Sequence, residues 1–334
     1  MNSKIRWGIL GCGKIAHAFA FSLKNIHEAQ LLAVASRTPG KAQTFGEQFG
    51  VEFKYTNYEE LVNNPEIDVI YIATTHNFHY KNILLCLKAN KPVLCEKAFT
   101  LNAKQAVEVI EMAREKNIFL MEAMWMKFNP CIAKLREILA EGIVGDIRLI
   151  KADFGEKFPR DPQDRLFNIH LGGGALLDLG IYPISFARMI FGHSPINCKS
   201  EAYIGETGVD EESAYFLEFE DKKLAMLYSS SRIEMPNDAT LFGTKGMIKL
   251  KDFFHPSKIE WKLNGKRKIK SIEVPYDLPG YQYEILEVHK CLANGQIESK
   301  IMPWSETIEN MKTMDTLRKQ WGLKYPEEKT HQNV

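Results

Sequence analysis

Lys97, Asp178 and Tyr182 are of the types that move a proton at a hydroxyl-bearing carbon. A phenol becomes a usable base near neutrality where a cation stabilises its phenolate, and Lys97 is that cation for Tyr182 if both face one cleft. Asp178 precedes Tyr182 by one helical turn on the same face, and would orient Lys97, relay a proton or act as the base. Each also has an ordinary alternative: a strand-end charge for Lys97, a helix-face ion pair for Asp178, core packing for Tyr182. Upstream, Gly11-Cys12-Gly13-Lys14-Ile15-Ala16 follows an apolar run and reads as the G-x-G-x-x-A dinucleotide fingerprint. Gly11 allows the tight turn, Gly13 admits a pyrophosphate, and Ala16 is small enough for helix and strand to touch. The N–H groups of Lys14 and Ile15, at the start of a helix running to Lys24, face that anion with the positive end of the dipole behind them. A nicotinamide dinucleotide beside a base at a carbinol is the equipment of hydride transfer.

The end of the second strand chooses the cofactor. An NAD site usually places a carboxylate there, about 20 residues past the glycines, for the ribose 2′-hydroxyl. This chain has Ser36, Arg37 and Thr38. A guanidinium forks onto phosphate and two hydroxyls add hydrogen bonds, so NADP is favoured over NAD; the alternative is a solvated strand-end charge. After the fourth strand, Thr74, His76 and His79 stand where the nicotinamide half of the cofactor belongs, with Thr75 or Asn77 as candidate helix caps.

These residues require a scaffold of alternating strands and helices. The runs at Trp7–Leu10, Ala29–Arg37, Glu52–Tyr55, Asp68–Thr75, Lys91–Lys97 and Ile118–Ala123 read as strands, several too continuously apolar for a half-exposed sheet. Helices are expected between them, over Pro39–Phe49, Tyr58–Val62, His79–Ala89 and Asn102–Glu115. Such repeats imply a doubly wound parallel sheet with ligands outside the strand carboxyl ends. From Trp125 the pattern changes. A connecting helix over Phe128–Leu139 and a strand over Asp146–Phe154 lead into a polar loop, 155–171, and then a helix over Gly174–Phe191. Strands with period-two alternation follow at Asn197–Tyr203, Ser213–Phe219, Lys223–Ser230, Ala239–Phe242 and Met247–Lys251, which argues an open, mainly antiparallel sheet. Two helices, Tyr283–Leu292 and Ser305–Gln320, and a polar tail, Lys324–Val334, close the chain.

Glu96-Lys97 at a strand end, with Gly172-Gly173-Gly174-Ala175-Leu176-Leu177-Asp178-Leu179-Gly180-Ile181-Tyr182, resembles the glucose-fructose oxidoreductase, inositol dehydrogenase and MocA-like family. Within it, the chain most resembles the branch of dihydrodiol and NADP-dependent D-xylose dehydrogenases. The resemblance implies an α/β chain: an N-terminal Rossmann domain, then an α+β domain with a large open sheet. It implies that Lys97 also holds the substrate hydroxyl, that Glu96 belongs to the cofactor site, and that the substrate is a small polyhydroxylated sugar or a trans-dihydrodiol. Trp125 and Phe154 would wall an apolar pocket for a diol ring or be plain core; His170 points at substrate or is a hydrogen-bonded structural histidine. The family's usual Glu-Lys-Pro is Glu96-Lys97-Ala98 here, and a non-proline cis peptide costs about 2.5–4 kcal/mol, which leaves that isomer open. An inositol or keto-sugar dehydrogenase is the alternative among enzymes, and a catalytically silent NADP-binding regulator the alternative outside them.

At 334 residues the chain exceeds what one core fills, so two domains are expected, 1–123 and 124–334. A formal net charge of +1 lacks the footprint that nucleic acid or a membrane surface requires. Cys12, Cys86, Cys95, Cys131, Cys198 and Cys291 show neither disulfide-framework nor zinc spacing, and no histidine and carboxylate group has metal-ligand spacing, so no catalytic metal is expected. A cytoplasmic enzyme is expected, with the open sheet covered in a homodimer or a dimer of dimers.

Overall fold

The central strands of the first half are apolar along their length because both of their faces are covered. In β1 (Ile5–Leu10) the side chains of Trp7, Ile9 and Leu10 are fully buried, as are Val69 to Ile72, all of β4. The structure, a computed structural model, describes residues 4–277 and 279–329. In chain order β1 is followed by α1 (Lys14–Lys24), β2 (Ala29–Ala35), α2 (Lys41–Phe49), β3 (Phe53–Tyr55), α3 (Tyr58–Asn63), β4 (Val69–Ile72), α4 (His76–Lys88), β5 (Val93–Glu96), α5 (Ala103–Lys116) and β6 (Leu120–Ala123). All pairings are parallel, in the order β3-β2-β1-β4-β5-β6, so the winding reverses between β1 and β4 and the crevice opens beyond their carboxyl ends. The Lys97–Ala98 peptide after β5 is cis.

The chain divides into two compact units, and the division is not a single cut. The first holds everything up to Thr100, Lys104–Phe128, and also Asp277–Thr307. That returning segment was expected in the carboxyl-terminal domain. It contains α8 (Gln282–Ala293), whose buried face, Ile285, Val288 and Cys291, packs within the first unit, where Trp7 Nε1 donates to His289 Nε2 at 3.0 Å. The segment also bonds to the β6 edge: Leu120 N–H bonds the Ile297 carbonyl at 3.0 Å, and Trp304 Nε1 donates to the Leu120 carbonyl at 2.7 Å.

The second unit, Leu101–Ala103, Asn129–Tyr276 and Ile308–Val334, contains a second sheet. It begins with α6 (Pro130–Ala140), capped by the Asn129 side chain on the Cys131 and Ile132 N–H groups with Pro130 in the first turn. Next come β7 (Ile147–Gly155), α7 (Ile181–Phe191), β8 (Asn197–Ile204), β9 (Asp210–Phe219), β10 (Lys223–Ser230), β11 (Ala239–Gly243), β12 (Gly246–Leu250), β13 (Lys258–Leu263) and β14 (Lys270–Glu273). The order is β14-β13-β12-β11-β7-β10-β9-β8, antiparallel except for β7 with β10. Strands β13 and β14 were not legible: β14 is exposed along three of its four residues, and its lysine-rich approach carries no alternation. The helix expected to start at Gly174 starts instead with one π turn, Leu176–Gly180, before α7. The carboxyl terminus is no plain polar tail. After α9 (Trp304–Trp321) it contains α10 (Pro326–Lys329), and Tyr325 before it is completely buried, because the Arg318 guanidinium covers its ring at 4.9 Å and pairs with Glu328 at 2.9 Å. The last five residues of that stretch lie outside the described residues.

Candidate active site

Between β1 and α1 the backbone does what the fingerprint asks. Gly11 has φ 101°, and a Cβ there would stand 2.7 Å from the Ala73 carbonyl oxygen, so only glycine fits. Gly13 is the opposite case: extended at φ −81°, it would place a Cβ with nothing within 4 Å. The open space lies at the start of α1, whose first turn has no side-chain cap, so the N–H groups of Lys14 and Ile15 are presented outward; Ala16 is fully buried against the sheet. A dinucleotide pyrophosphate fits that cradle.

At the end of β2, Ser36 is buried and its hydroxyl accepts the Thr38 N–H at 3.2 Å, turning the chain so that Arg37 points out. The Arg37 guanidinium lies 3.9 Å from the Phe78 ring centroid and 5.2 Å from that of Tyr58. A cavity of about 370 Å³ is lined by Cys12, His17, Lys41 and Thr44 among others. Burial pushes the Cys12 thiol up to about 11, so it stays protonated at neutral pH. Lys41, a cation in the wall of this cavity, was missed in the sequence; its place at the start of α2, four residues past Arg37, was the available signal.

The loop after β4 and the loop after β5 are tied together by histidines. His76 Nε2 lies 3.2 Å from the Lys97 carbonyl oxygen; His79 has Nδ1 2.9 Å from the Ala98 carbonyl and Nε2 2.9 Å from the Thr74 carbonyl. His79 is completely buried, with both ring nitrogens on backbone carbonyls. It therefore sets the backbone around Thr74 and Lys97. Burial holds its pKa below the ordinary histidine value, against the pull of those carbonyls. The Thr74 hydroxyl accepts from Asn82 Nδ2 at 3.1 Å, and Thr75 occupies the cap position of α4 without a side-chain cap bond. Behind Lys97, Glu122 accepts the Phe99 N–H at 3.2 Å and the Thr307 hydroxyl at 2.9 Å; burial raises its pKa to about 7. Glu96 is buried and accepts the Tyr71 hydroxyl. Glu284 nearby, fully buried with neither oxygen hydrogen-bonded, is pushed well above the usual carboxylate range by burial and by Glu96.

Lys97 lies in the first unit, Asp178 and Tyr182 in the second. Asp178, 5 % exposed, takes a two-pronged bond from Arg165, with Nη1 at 3.1 Å and Nη2 at 3.0 Å. Arg165 was passed over because the loop 155–171 read only as polar. Tyr182 is buried with its ring 5.3 Å from Phe154 and 5.8 Å from Phe254; Phe154 stacks on Phe254 at 4.2 Å. Trp125 stacks on Tyr281 at 5.0 Å within the first unit, so each aromatic has its own partner ring. His170 is exposed on a short 3₁₀ turn, its backbone N–H bonded to the Asn168 side chain at 2.9 Å. Chemically, the second unit offers a buried phenol and an arginine-held carboxylate one turn apart.

Residues 5–124 match the model of the oxidoreductase family with an NAD-binding Rossmann fold, and residues 132–249 that of the GFO/IDH/MocA C-terminal domain. The chain is 36% identical over 333 residues to the trans-1,2-dihydrobenzene-1,2-diol dehydrogenase of Xenopus tropicalis, covering 96% of this chain and 99% of that one. With the enzyme of that name from Homo sapiens it shares 34% over 337 residues, with coverage of 97% and 99%. Among solved structures, an aldose-aldose oxidoreductase from Caulobacter crescentus superposes with a TM-score of 0.86 at 21% identity, covering 96% of this chain and 98% of that one. A 3-ketoreductase from Actinomadura kijaniata, in complex with NADP and TDP-benzene, does so at 0.85 and 24%, with coverage of 95% and 98%. The fold, the fingerprint cradle and both matched models agree: this chain belongs to the GFO/IDH/MocA oxidoreductase family.

Proposed function

We propose that the protein is an NADP-dependent dehydrogenase that oxidises a secondary alcohol of a trans-dihydrodiol or an aldose such as D-xylose, or reduces the matching carbonyl. One observation carries the reading: near-full-length identity of 36% with an enzyme named for a trans-dihydrodiol. Residues 1–123 would then serve mainly to bind the cofactor, and residues 124–334 substrate and a second copy of the chain. The pyrophosphate is held by Gly11, Gly13 and the N–H groups of Lys14 and Ile15, and the 2′-phosphate by Arg37 with Ser36 and Thr38. NADP is preferred over NAD because the second-strand end carries a fixed guanidinium in place of a carboxylate. When bound, the nicotinamide supplies the hydride acceptor.

On this reading Tyr182 takes the hydroxyl proton at its phenolic oxygen, Lys97 supplies the positive charge that makes the phenolate accessible, and Asp178 orients the hydroxyl. Asp178 is the alternative base. Phe154 in the second unit and Trp125 in the first would each offer an apolar ring to the substrate, and His170 would approach its polar end. The six free cysteines support a reducing, cytoplasmic compartment. A panel of trans-dihydrodiols, aldoses and inositols, followed by NADPH absorbance, tests the assignment. Turnover of diols or D-xylose with NADP is expected. NADPH binding without turnover on any member would replace it with the silent regulator, and turnover confined to inositols with the inositol dehydrogenase.

A further inference from the structure

The turn ahead of Asp178 and Tyr182 is fastened by two side chains from remote parts of the second unit. The Gly173 carbonyl accepts the Tyr325 hydroxyl at 2.7 Å, and the Leu176 N–H goes to Asp210 Oδ2 at 2.6 Å. Tyr325 and Asp210 are both completely buried. The fit leaves no slack: Gly174 has φ 119°, and a Cβ there would stand 2.3 Å from Asp210 Oδ1. On its other side the turn is laced to the polar loop, with Gly174 N–H on the Leu166 carbonyl at 2.8 Å and Gly173 N–H on that of Asn168 at 3.0 Å. That loop carries Arg165, which forks onto Asp178. Buried polar contacts of this kind add little net stability, but their directionality selects one backbone arrangement.

We propose that Tyr325 and Asp210 are positioning residues: they hold the Gly172–Leu176 turn so that Asp178 and Tyr182 keep one orientation. The inference rests on the assignment of chemistry to Asp178 and Tyr182. Burial holds the Asp210 carboxyl up to about 7, so its anchoring bond to Leu176 is made by a group whose charge changes near neutrality. Arg318 favours its ionised form, and Tyr325 stands beside it.

Tyr325→Phe keeps the ring and deletes the hydroxyl donated to Gly173. Hydrogen exchange at the amides of Gly174 to Tyr182 should quicken about tenfold, the signature of a locally loosened turn, while those of Ile9 to Leu23 stay unchanged. With diol and NADP, kcat should fall about tenfold, less than the ~10²-fold that a 1 Å misplacement costs, and the NADPH Kd should hold. Asp210→Asn retains an acceptor for the Leu176 N–H and should keep most of kcat, whereas Asp210→Ala should lose it. A lower Tm with unchanged kcat and unchanged exchange in Tyr325→Phe would make the contact merely structural and overturn the proposal. Equal kcat losses for the Asn and Ala variants would remove Asp210 from it. If the wild type turns over no substrate, the dehydrogenase reading fails, and the exchange measurement still decides whether the turn is held.

Discussion

A guanidinium laid against the Phe78 ring and flanked by Tyr58 presents its fork in a restricted plane, which is what separates Arg37 from a freely solvated charge. Arg37→Asp should weaken NADP binding by about 1.5–3 kcal/mol, one charge-assisted contact, and leave NAD affinity far less affected. Equal losses in titrations with the two cofactors would remove Arg37 as the discriminator. For the chemistry, Tyr182→Phe keeps the packing on Phe154 and Phe254 but deletes the exchangeable proton, so kcat should drop by roughly 10²- to 10⁴-fold with cofactor binding intact. In the oxidation direction, the limb along which the rate rises with pH as the Tyr182 phenol ionises, below a normal tyrosine's value of about 10, should vanish with it; a variant that keeps both would shift attention to Asp178. Glu122 makes a pH prediction. Its folded pKa of about 7 lies above the unfolded value, so its contribution is fully present below about pH 4.5 and is lost as pH rises through 7. Glu122→Gln should therefore lose less stability between pH 5 and pH 8 than the wild type, by an amount on the order of a few kcal/mol. Equal changes in unfolding free energy between the two pH values for wild type and variant, measured by urea unfolding, would contradict it.

At the scale of elements, the β1–α1 turn contains two glycines needed for different reasons, and substitution separates them. Gly11→Ala forces a Cβ against the Ala73 carbonyl at a positive φ, so it should cost stability, upwards of about 1 kcal/mol, as well as cofactor affinity. Gly13→Ala meets no protein atom, so stability should stay within about 0.5 kcal/mol while NADPH binding weakens, because the methyl fills the room meant for pyrophosphate. The measurement is Tm beside NADPH fluorescence titration for each variant; a Gly13→Ala protein that binds normally would show that the cofactor does not approach there. The strands of the first sheet announced themselves through continuous burial. The π turn at Leu176–Gly180 did not, because its sequence, Leu-Leu-Asp-Leu-Gly, is as compatible with an α turn, and the anchors that set its start, Asp210 and Tyr325, come from far along the chain.

For the whole molecule, the outer face of the second sheet is the feature that calls for a partner. Phe216 stands directly across from Met226, Leu224 across from Leu149, and Leu149 across from Phe242. Phe216 is 51% exposed, Leu224 42%, Met226 40% and Phe242 37%, an apolar face of the kind a soluble chain covers. A homodimer or a dimer of dimers joined through this face is expected at micromolar concentration by light scattering. Phe216→Lys with Met226→Glu should yield monomers that still bind NADPH. A monomeric wild type would rule the assembly out.

The sequence by itself determined the alternation of strand and helix, the fingerprint and the Ser36-Arg37-Thr38 end of β2. Those features are written in local spacing, where a period or a glycine pair has one physical meaning. It also marked Lys97, Asp178 and Tyr182 through their order along the chain. Only the tertiary structure decided what lies far apart in sequence: that α8 returns to the first unit, that His79 and Glu122 brace the turn around Lys97, that Arg165 holds Asp178, and that Tyr325 is buried on Gly173. Hydrophobic periodicity fixes which face of an element is buried but not what buries it, and a polar side chain gives no sign of its partner until the fold brings the two within about 3 Å.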